Sequence, residues 1–293
     1  MKNASHTSSR PLPRTIRGLR AFHVATHVVG CFLLPAAERP PSAKSRDALS
    51  LWCQRLLAKF GVEVTVEGAL PGAGPFLIVS NHISWMDIPL IRHLFPAQFI
   101  AKEEISLWPV IGAGAKRAGT LFISREKLSS LHATLDQVCQ SFGRGESVVL
   151  FPEGTTTTGE GLLPFRSGLF QSALRTGIPI LPVALRYTTL AGHTNPAVSY
   201  TGGESFGRSF WRTLGEPRII ARLSLCQPIF PGKTSRKDLA AEARQAILSA
   251  LSGRGSADRV SSILHCRPEA SREAASPLTL PSPPLSGGSP IAL

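Results

Sequence analysis

The stretch VSNHISWMDIPLI, residues 79–91, joins an apolar run to a helical pattern through a short polar segment. His82 and Asp87 stand five positions apart in this segment. In one unbroken helix, that offset would turn their side chains roughly 140° away from each other. We therefore predict that His82 precedes the helix and that Asp87 reaches back to it from the first turn, with Asn81 or Ser84 as the helix cap.

Short apolar runs alternate with helical patterns along most of the chain. Strands are predicted at residues 62–68, 76–81, 98–101, 120–124, 147–151, 178–187 and 218–226. Helices are predicted at residues 88–94, 109–116, 128–142, 169–176 and 235–252. This alternation predicts an α/β fold, a single domain with a mixed, partly parallel sheet flanked by helices.

A basic region with helical patterns precedes the predicted sheet. Residues 21–37, AFHVATHVVGCFLLPAA, contain no charged side chain. As a helix they would span about 25 Å, less than the roughly 30 Å hydrocarbon core of a bilayer. We interpret this segment and an amphipathic helix at 50–61 as membrane-associating helices. In the first helix, a polar stripe lies opposite an apolar face: His23, Thr26, His27 and Gly30 against Phe22, Val29, Phe32 and Leu33. A cleaved signal peptide and a helix packed on the protein's own core are the alternatives.

Charge and composition restrict the partners. The formal net charge of +13 favours an anionic partner, and the sequence contains no zinc-finger spacing, RNP-like motif or basic-leucine heptad, so we expect an anionic membrane surface and no nucleic acid. Five cysteines without C-x-x-C spacing indicate reduced thiols in a cytosolic setting.

We predict four regions: a basic flexible N-terminus (1–20), a membrane-associating helical region (21–60), an α/β domain (61–252) and a disordered Pro/Ser-rich tail (253–293).

Polar clusters follow three of the predicted strands: NHISWMD (81–87), SR (124–125) and PEGTTTTGEG (152–161). Ligands of open α/β sheets bind where strands end. An imidazole such as His82 can accept a proton from an alcohol, and a carboxylate such as Asp87 can fix its tautomer. The alternative interpretation is a core histidine beside an acid that the helix dipole favours.

The first cluster resembles N-H-x-x-x-x-D, the signature of the 1-acylglycerol-3-phosphate (lysophosphatidic acid) acyltransferase family of glycerolipid acyltransferases. Three further blocks of that family follow in order. Residues 102–126 resemble its second block, in which Gly119, Phe122, Ile123 and Arg125 match G-x-x-F-I-x-R. LFPEGTT (150–156) and GIPILPVAL (177–185) resemble the third and fourth, so the resemblance spans residues 50–230.

This resemblance implies that residues 61–252 are an acyltransferase domain. The expected enzyme transfers a fatty acyl group from acyl carrier protein or coenzyme A to the free hydroxyl of a lysophospholipid, converting 1-acylglycerol-3-phosphate to phosphatidic acid. His82 would be the general base and Asp87 its orienting partner. The implied site has no metal and no cofactor beyond the thioester co-substrate, and the implied location is the cytoplasmic face of the inner membrane. The implied substrate-binding residues are Asn81, Lys102, Gly119, Arg125, Glu153, Gly154, Thr155 and Arg166.

Two positions depart from the family pattern. Thr156 stands where many members have arginine after F-P-E-G-T, and Ser124 stands where an acid is common. A non-phosphate acceptor, a lyso-ornithine lipid, is therefore an alternative. From other classes, a metal-dependent lipid hydrolase with His82 and Asp87 as ligands and a non-catalytic membrane adaptor are alternatives. The sequence contains no G-x-S-x-G elbow, which argues against a serine hydrolase.

Overall fold

A computed structural model describes residues 11–30, 43–72, 74–124, 128–253 and 261–262. The helices are α1 (Arg14–Gly30), α2 (Ala43–Lys59), α3 (Asp87–Leu94), α4 (Ile111–Arg117), α5 (Leu128–Gly143), α6 (Gln171–Thr176), α7 (Phe206–Leu214) and α8 (Arg236–Leu251). The strands are β1 (Val62–Glu67), β2 (Leu77–Ser80), β3 (Ala97–Lys102), β4 (Leu121–Ile123), β5 (Ser147–Leu150), β6 (Ile180–Thr188), β7 (Ile219–Leu225) and β8 (Ser261–Ser262). Two short 3-10 helices lie at Glu103–Leu107 and Gly168–Phe170.

The eight described strands form one sheet in the order β4-β3-β5-β2-β6-β7-β1-β8. The first five strands of this order, β4, β3, β5, β2 and β6, run parallel to one another. Strands β7 and β1 also pair in parallel. The β6–β7 and β1–β8 pairs are antiparallel. The predicted mixed, partly parallel sheet is therefore confirmed, and the carboxyl ends of β5, β2 and β6 meet at one edge.

The central strands are buried on both faces, which explains their continuous apolar sequences. In β2, Ile78 packs in a cluster that includes Leu57 of α2 and Leu90 of α3. The neighbouring Leu77 packs on the opposite face, in a cluster that includes Val138 of α5. Because successive strand residues point to opposite faces, one four-residue strand contributes to both halves of the core.

The N-terminal helices begin earlier than predicted. Helix α1 starts at Arg14, inside the region predicted to be flexible, and α2 starts at Ala43 instead of residue 50. The apolar end of the first predicted helix, residues 31–37, lies outside the described residues. Among the helices that the structure describes, none is both long enough and apolar enough to cross a membrane.

The polar stripe predicted on α1 does not form a separate face, because part of it packs on the protein. The His27 ring stacks on the Trp52 ring of α2 with centroids 5.0 Å apart. Arg20 donates from Nη1 to the Glu216 carbonyl oxygen at 2.7 Å. Phe22 and Val29 are exposed instead, with 62% and 64% of their surface accessible. Helix α1 thus partly follows the alternative of a helix packed on its own protein, and its outer face carries both apolar side chains such as Phe22 and polar ones such as His23 and Thr26.

Helix α7 is the largest described element that the sequence patterns do not predict. It begins after Ser205, whose hydroxyl accepts the backbone N–H of Arg208. Its Phe206 and Phe210 rings pack against Trp85, which belongs to the segment between His82 and Asp87. Helix α7 therefore supports the segment that carries the candidate catalytic pair.

Candidate active site

Parallel strands bring the predicted polar clusters to one edge of the sheet. His82 follows β2, and Glu153 follows β5, which pairs with β2. The His82 backbone N–H donates to Glu153 Oε1 at 2.8 Å. The two clusters therefore meet directly, as expected at the carboxyl edge of a parallel sheet.

His82 and Asp87 form the pair that their spacing predicts. Asp87 is the first residue of α3, and its Oδ2 lies 2.7 Å from His82 Nδ1. The predicted caps are wrong: the N-cap is Met86, with no side-chain hydrogen bond, and neither Asn81 nor Ser84 caps the helix. The Asp87 carboxylate itself accepts the backbone N–H groups of the preceding turn.

Asp87 is fully buried, and four donors converge on it. Its Oδ2 accepts from His82 Nδ1 at 2.7 Å and from the backbone N–H groups of Ile83 and Ser84 at 2.7 Å and 3.0 Å. Its Oδ1 accepts from the Tyr187 hydroxyl at 2.7 Å. Backbone N–H groups can only donate, so Asp87 Oδ2 is an acceptor and Nδ1 must supply a hydrogen to it. His82 therefore carries its hydrogen on Nδ1, and the Nε2 lone pair is the basic end of the ring.

The His82 ring is held in place while its edge reaches solvent. It stacks on the Phe151 ring with centroids 4.0 Å apart and an interplanar angle of 13°. The His82 carbonyl oxygen accepts the Thr157 backbone N–H at 2.8 Å. The His82 side chain is 19% exposed, and no described residue hydrogen-bonds its Nε2. The geometry thus fixes the ring and leaves its basic nitrogen available to a substrate hydroxyl.

Glu153 links two backbone segments beneath this ring. Its Oε1 accepts from the His82 N–H, and its Oε2 accepts from the Leu163 N–H at 2.9 Å. Burial raises the pKa of Glu153, although the two N–H groups oppose that rise. Gly154 follows in the left-handed region, with φ of 73°, and lets the chain turn immediately after the carboxylate. The role of Glu153 as a substrate-binding residue, accepting a hydrogen bond from the acceptor hydroxyl, stays a prediction.

The other predicted binding residues occupy different environments. Asn81 is fully buried, and its amide pairs with the Leu185 backbone on β6, at 2.7 Å to the Leu185 N–H and 3.0 Å to the carbonyl oxygen. Gly119 is buried with φ of 78°. Lys102, Thr155 and Arg166 are exposed. Arg125 lies outside the described residues. Substrate contacts of all these residues stay predictions.

Comparisons with known proteins bear directly on this arrangement. Residues 61–186 match the family model described as Acyltransferase. A lyso-ornithine lipid O-acyltransferase of Pseudomonas aeruginosa is 38% identical over 221 residues, which cover 75% of this chain and 83% of the relative. The chain belongs to the acyltransferase family. The predicted family and enzyme class are therefore confirmed.

Two further proteins are similar to this acyltransferase. A 1-acyl-sn-glycerol-3-phosphate acyltransferase of Neisseria meningitidis is 39% identical over 184 residues, 62% of this chain and 71% of the relative. The crystal structure of a 1-acyl-sn-glycerophosphate (LPA) acyltransferase from Thermotoga maritima superimposes with a TM-score of 0.59 over 82% of this chain and 93% of that chain. At 22% identity, this likeness supports the fold alone.

Sequence reasoning missed two side chains that touch the candidate catalytic pair, His82 and Asp87. Phe151 stacks on His82, and Tyr187 donates to Asp87. Both stand at the end of a predicted strand, 147–151 and 178–187, where ligands of α/β sheets bind. Their position at a strand end could have indicated that they belong to the site. An aromatic residue at a strand end is, however, also an ordinary packing residue.

Proposed function

We propose that this acyltransferase moves a fatty acyl group from an acyl carrier protein or coenzyme A thioester to the free hydroxyl of a lysolipid, with His82 as the general base and Asp87 as its orienting partner. The observation that carries the proposal is the 2.7 Å contact between His82 Nδ1 and Asp87 Oδ2 at the carboxyl edge of the sheet. This contact directs Nε2 to the substrate and stabilises the imidazolium that forms during the reaction.

The proposed reaction needs no covalent intermediate on the enzyme. His82 Nε2 takes the proton from the acceptor hydroxyl as that oxygen attacks the thioester carbonyl carbon. The tetrahedral oxyanion then collapses, and the carbon–sulfur bond breaks. The departing sulfur takes the proton from the imidazolium, so the products are an ester and a free thiol, and His82 returns to its starting form.

Two acceptors fit this chemistry. We propose 1-acylglycerol-3-phosphate, in keeping with the family resemblance and the similarity to the Neisseria meningitidis protein. A lyso-ornithine lipid is the second candidate because Thr156 occupies the position of a common family arginine. The Thr156 hydroxyl donates to the Tyr200 carbonyl oxygen, so this residue provides neither a cation nor a free hydroxyl for a phosphate. The similarity to the Pseudomonas aeruginosa protein also favours this candidate.

We further propose that the enzyme works at the cytoplasmic face of the inner membrane, with α1 lying at the bilayer surface. One side of α1 contributes the buried Val24 to the core. The other side exposes Ile16, Leu19, Phe22 and Val29. A short helix that turns several apolar side chains outward, beside polar ones such as His23 and Thr26, is suited to the boundary between headgroups and acyl chains.

The test is an assay of the purified full-length chain with labelled acyl-carrier-protein and coenzyme A thioesters. The acceptor panel contains 1-acylglycerol-3-phosphate, a lyso-ornithine lipid and lysophosphatidylethanolamine. We expect His82→Ala to lower kcat by about 10²- to 10⁴-fold, the usual contribution of a general base. His23→Ala, an exposed histidine of α1, is the matched control and should retain full turnover in detergent.

Each outcome separates the candidates. Turnover of His82→Ala within tenfold of the wild type would overturn the proposed base. Preference for one lysolipid over the others decides the acceptor. Loss of activity on chelation would instead favour a metal-dependent enzyme, and a folded wild-type protein that acylates none of the lysolipids would favour a membrane adaptor.

A further inference from the structure

Tyr187 completes the hydrogen bonding of the buried Asp87 carboxylate. It lies near the carboxyl end of β6, is 2% exposed, and donates its hydroxyl to Asp87 Oδ1 at 2.7 Å. Three donors share Oδ2, whereas Tyr187 is the one described residue that donates to Oδ1. Of the two Asp87 carboxylate oxygens, Oδ1 therefore depends on the Tyr187 hydroxyl for its hydrogen bond.

The backbone fixes Tyr187 relative to His82. Asn81, immediately before His82, brackets the backbone of Leu185 through both ends of its amide. Leu185 and Tyr187 are two residues apart on β6 and so point to the same face of the strand. The Tyr187 carbonyl oxygen also accepts the Asn195 N–H at 2.9 Å. These bonds set the register between the end of β2, which carries His82, and the end of β6, which carries Tyr187.

We propose that Tyr187 is a positioning residue for acyl transfer, which holds the Asp87 carboxylate in its orientation and limits how strongly that carboxylate attracts a proton to His82. This inference rests on the proposed role of His82 as base. Burial and the neighbouring Asp87 charge raise the pKa of the Tyr187 phenol well above its usual value, so the hydroxyl stays a donor throughout the working pH range.

The sign of the effect follows from the charge of the pair. Asp87 and neutral His82 together carry one negative charge, and protonation makes the pair neutral. The Tyr187 hydroxyl stabilises the charged form, so its removal favours protonation of the pair, whichever of the two side chains holds the proton. Glu153 is the other titratable group that the His82 backbone contacts, and neither of its two hydrogen bonds involves Tyr187.

The test compares Tyr187→Phe with Thr188→Val on the same strand. Thr188 is a matched control because its buried hydroxyl has no hydrogen-bond partner among the described residues. His82 is titrated by NMR in the full-length protein with labelled histidine, and its signal is assigned with His82→Ala. For Tyr187→Phe, we expect the midpoint of the His82 NMR titration to move upward by about half to one pH unit. The acidic limb of the pH profile of kcat/KM should move upward by the same amount. We also expect the plateau kcat to fall by roughly 10- to 150-fold, the effect of one hydrogen bond to a charged group. Thr188→Val should change none of these.

A second change has the opposite sign and leaves the packing intact. Tyr187 and Tyr200 are the two tyrosines of the chain, so fluorotyrosine incorporated into Tyr200→Phe protein labels Tyr187 alone. The more acidic phenol donates a stronger hydrogen bond and should move the His82 midpoint downward. Lower activity of Tyr187→Phe without a midpoint shift, or a fluorotyrosine shift in the upward direction, overturns the inference. Because the NMR titration measures no turnover, its result does not depend on whether the proposed function is correct.

Discussion

The carboxyl edge of the sheet and the outer face of α1 distribute polar and apolar side chains in opposite ways. At the sheet edge, Asp87 and Glu153 are buried, with exposures of 0% and 4%. On α1, Phe22 and Val29 are 62% and 64% exposed. Each arrangement costs free energy unless a partner compensates, because buried polar groups need hydrogen bonds and exposed apolar groups need burial.

The two regions differ in where that partner comes from. At the sheet edge, the chain supplies it: both oxygens of Asp87 and both oxygens of Glu153 accept hydrogen bonds from protein donors. On α1, the described part of the chain leaves the outward apolar face uncovered. The site is therefore pre-organised before substrate binds, whereas α1 is suited to a partner outside the protein.

The largest expected effect comes from breaking the sheet edge at Asp87. Asp87→Asn replaces one acceptor oxygen by an NH₂ group that faces donors, so the His82 tautomer is no longer held. We expect kcat to fall by about 10²- to 10⁴-fold, with a smaller loss of thermal stability. Steady-state kinetics and thermal unfolding of the same preparations measure both.

The control for this change is Asp136→Asn on α5, an exposed carboxylate paired with Arg175. Exposed ion pairs of this kind contribute little to stability, so this variant should match the wild type in kcat and in melting temperature. An Asp87→Asn protein that is folded and fully active would show that the pair is structural and not catalytic.

Much of the candidate catalytic pair was predictable because its geometry is local. His82 and Asp87 are five positions apart, and the strand and helix patterns around them restrict how the two side chains can meet. Tyr187 was not predictable in the same way, since it lies 100 positions after Asp87 in the sequence. Its contact depends on β6 pairing beside β2, and no periodicity in the sequence specifies which strands become neighbours.

The fold shows the same division between local and long-range information. The predicted strands and the α3, α5 and α8 helices match observed elements to within a few residues, because continuous apolar runs and apolar helix faces are local features of the sequence. Helix α7 lies outside the predicted elements although Phe206, Phe210 and Leu214 recur every four residues, and distant aromatic rings, among them Trp85, pack on it. The orientation of α1 also depended on a distant partner, Trp52, which turned His27 inward.

A smaller effect on activity is expected from Glu153→Gln. The glutamine side chain offers one oxygen where two backbone N–H groups need acceptors, so either the His82 or the Leu163 N–H loses its partner. One unmatched buried donor costs about 1–3 kcal/mol, and we expect kcat to fall by roughly 10- to 100-fold as the His82 backbone shifts. Glu160→Gln, an exposed acid of the same loop, is the control. Equal kcat values for the two variants would mean that the Glu153 bonds do not position His82.

The smallest expected effect addresses the other region, the outer face of α1. Phe22→Gln keeps a helix-compatible side chain but removes an exposed apolar ring, and we expect membrane partitioning to weaken roughly tenfold because less apolar surface enters the bilayer. Sedimentation with anionic phospholipid vesicles measures the partitioning. Phe230→Gln is the matched control, since Phe230 is 74% exposed. It lies away from the candidate site, because the preceding Ile229 pairs with Ile180 at the opposite end of β6 from Tyr187. An equal loss of vesicle binding in both variants would indicate unspecific adsorption of apolar surface. A loss confined to Phe22→Gln, with kcat in detergent unchanged, would show that the exposed apolar side chains of α1 serve membrane binding and not the chemistry at the sheet edge.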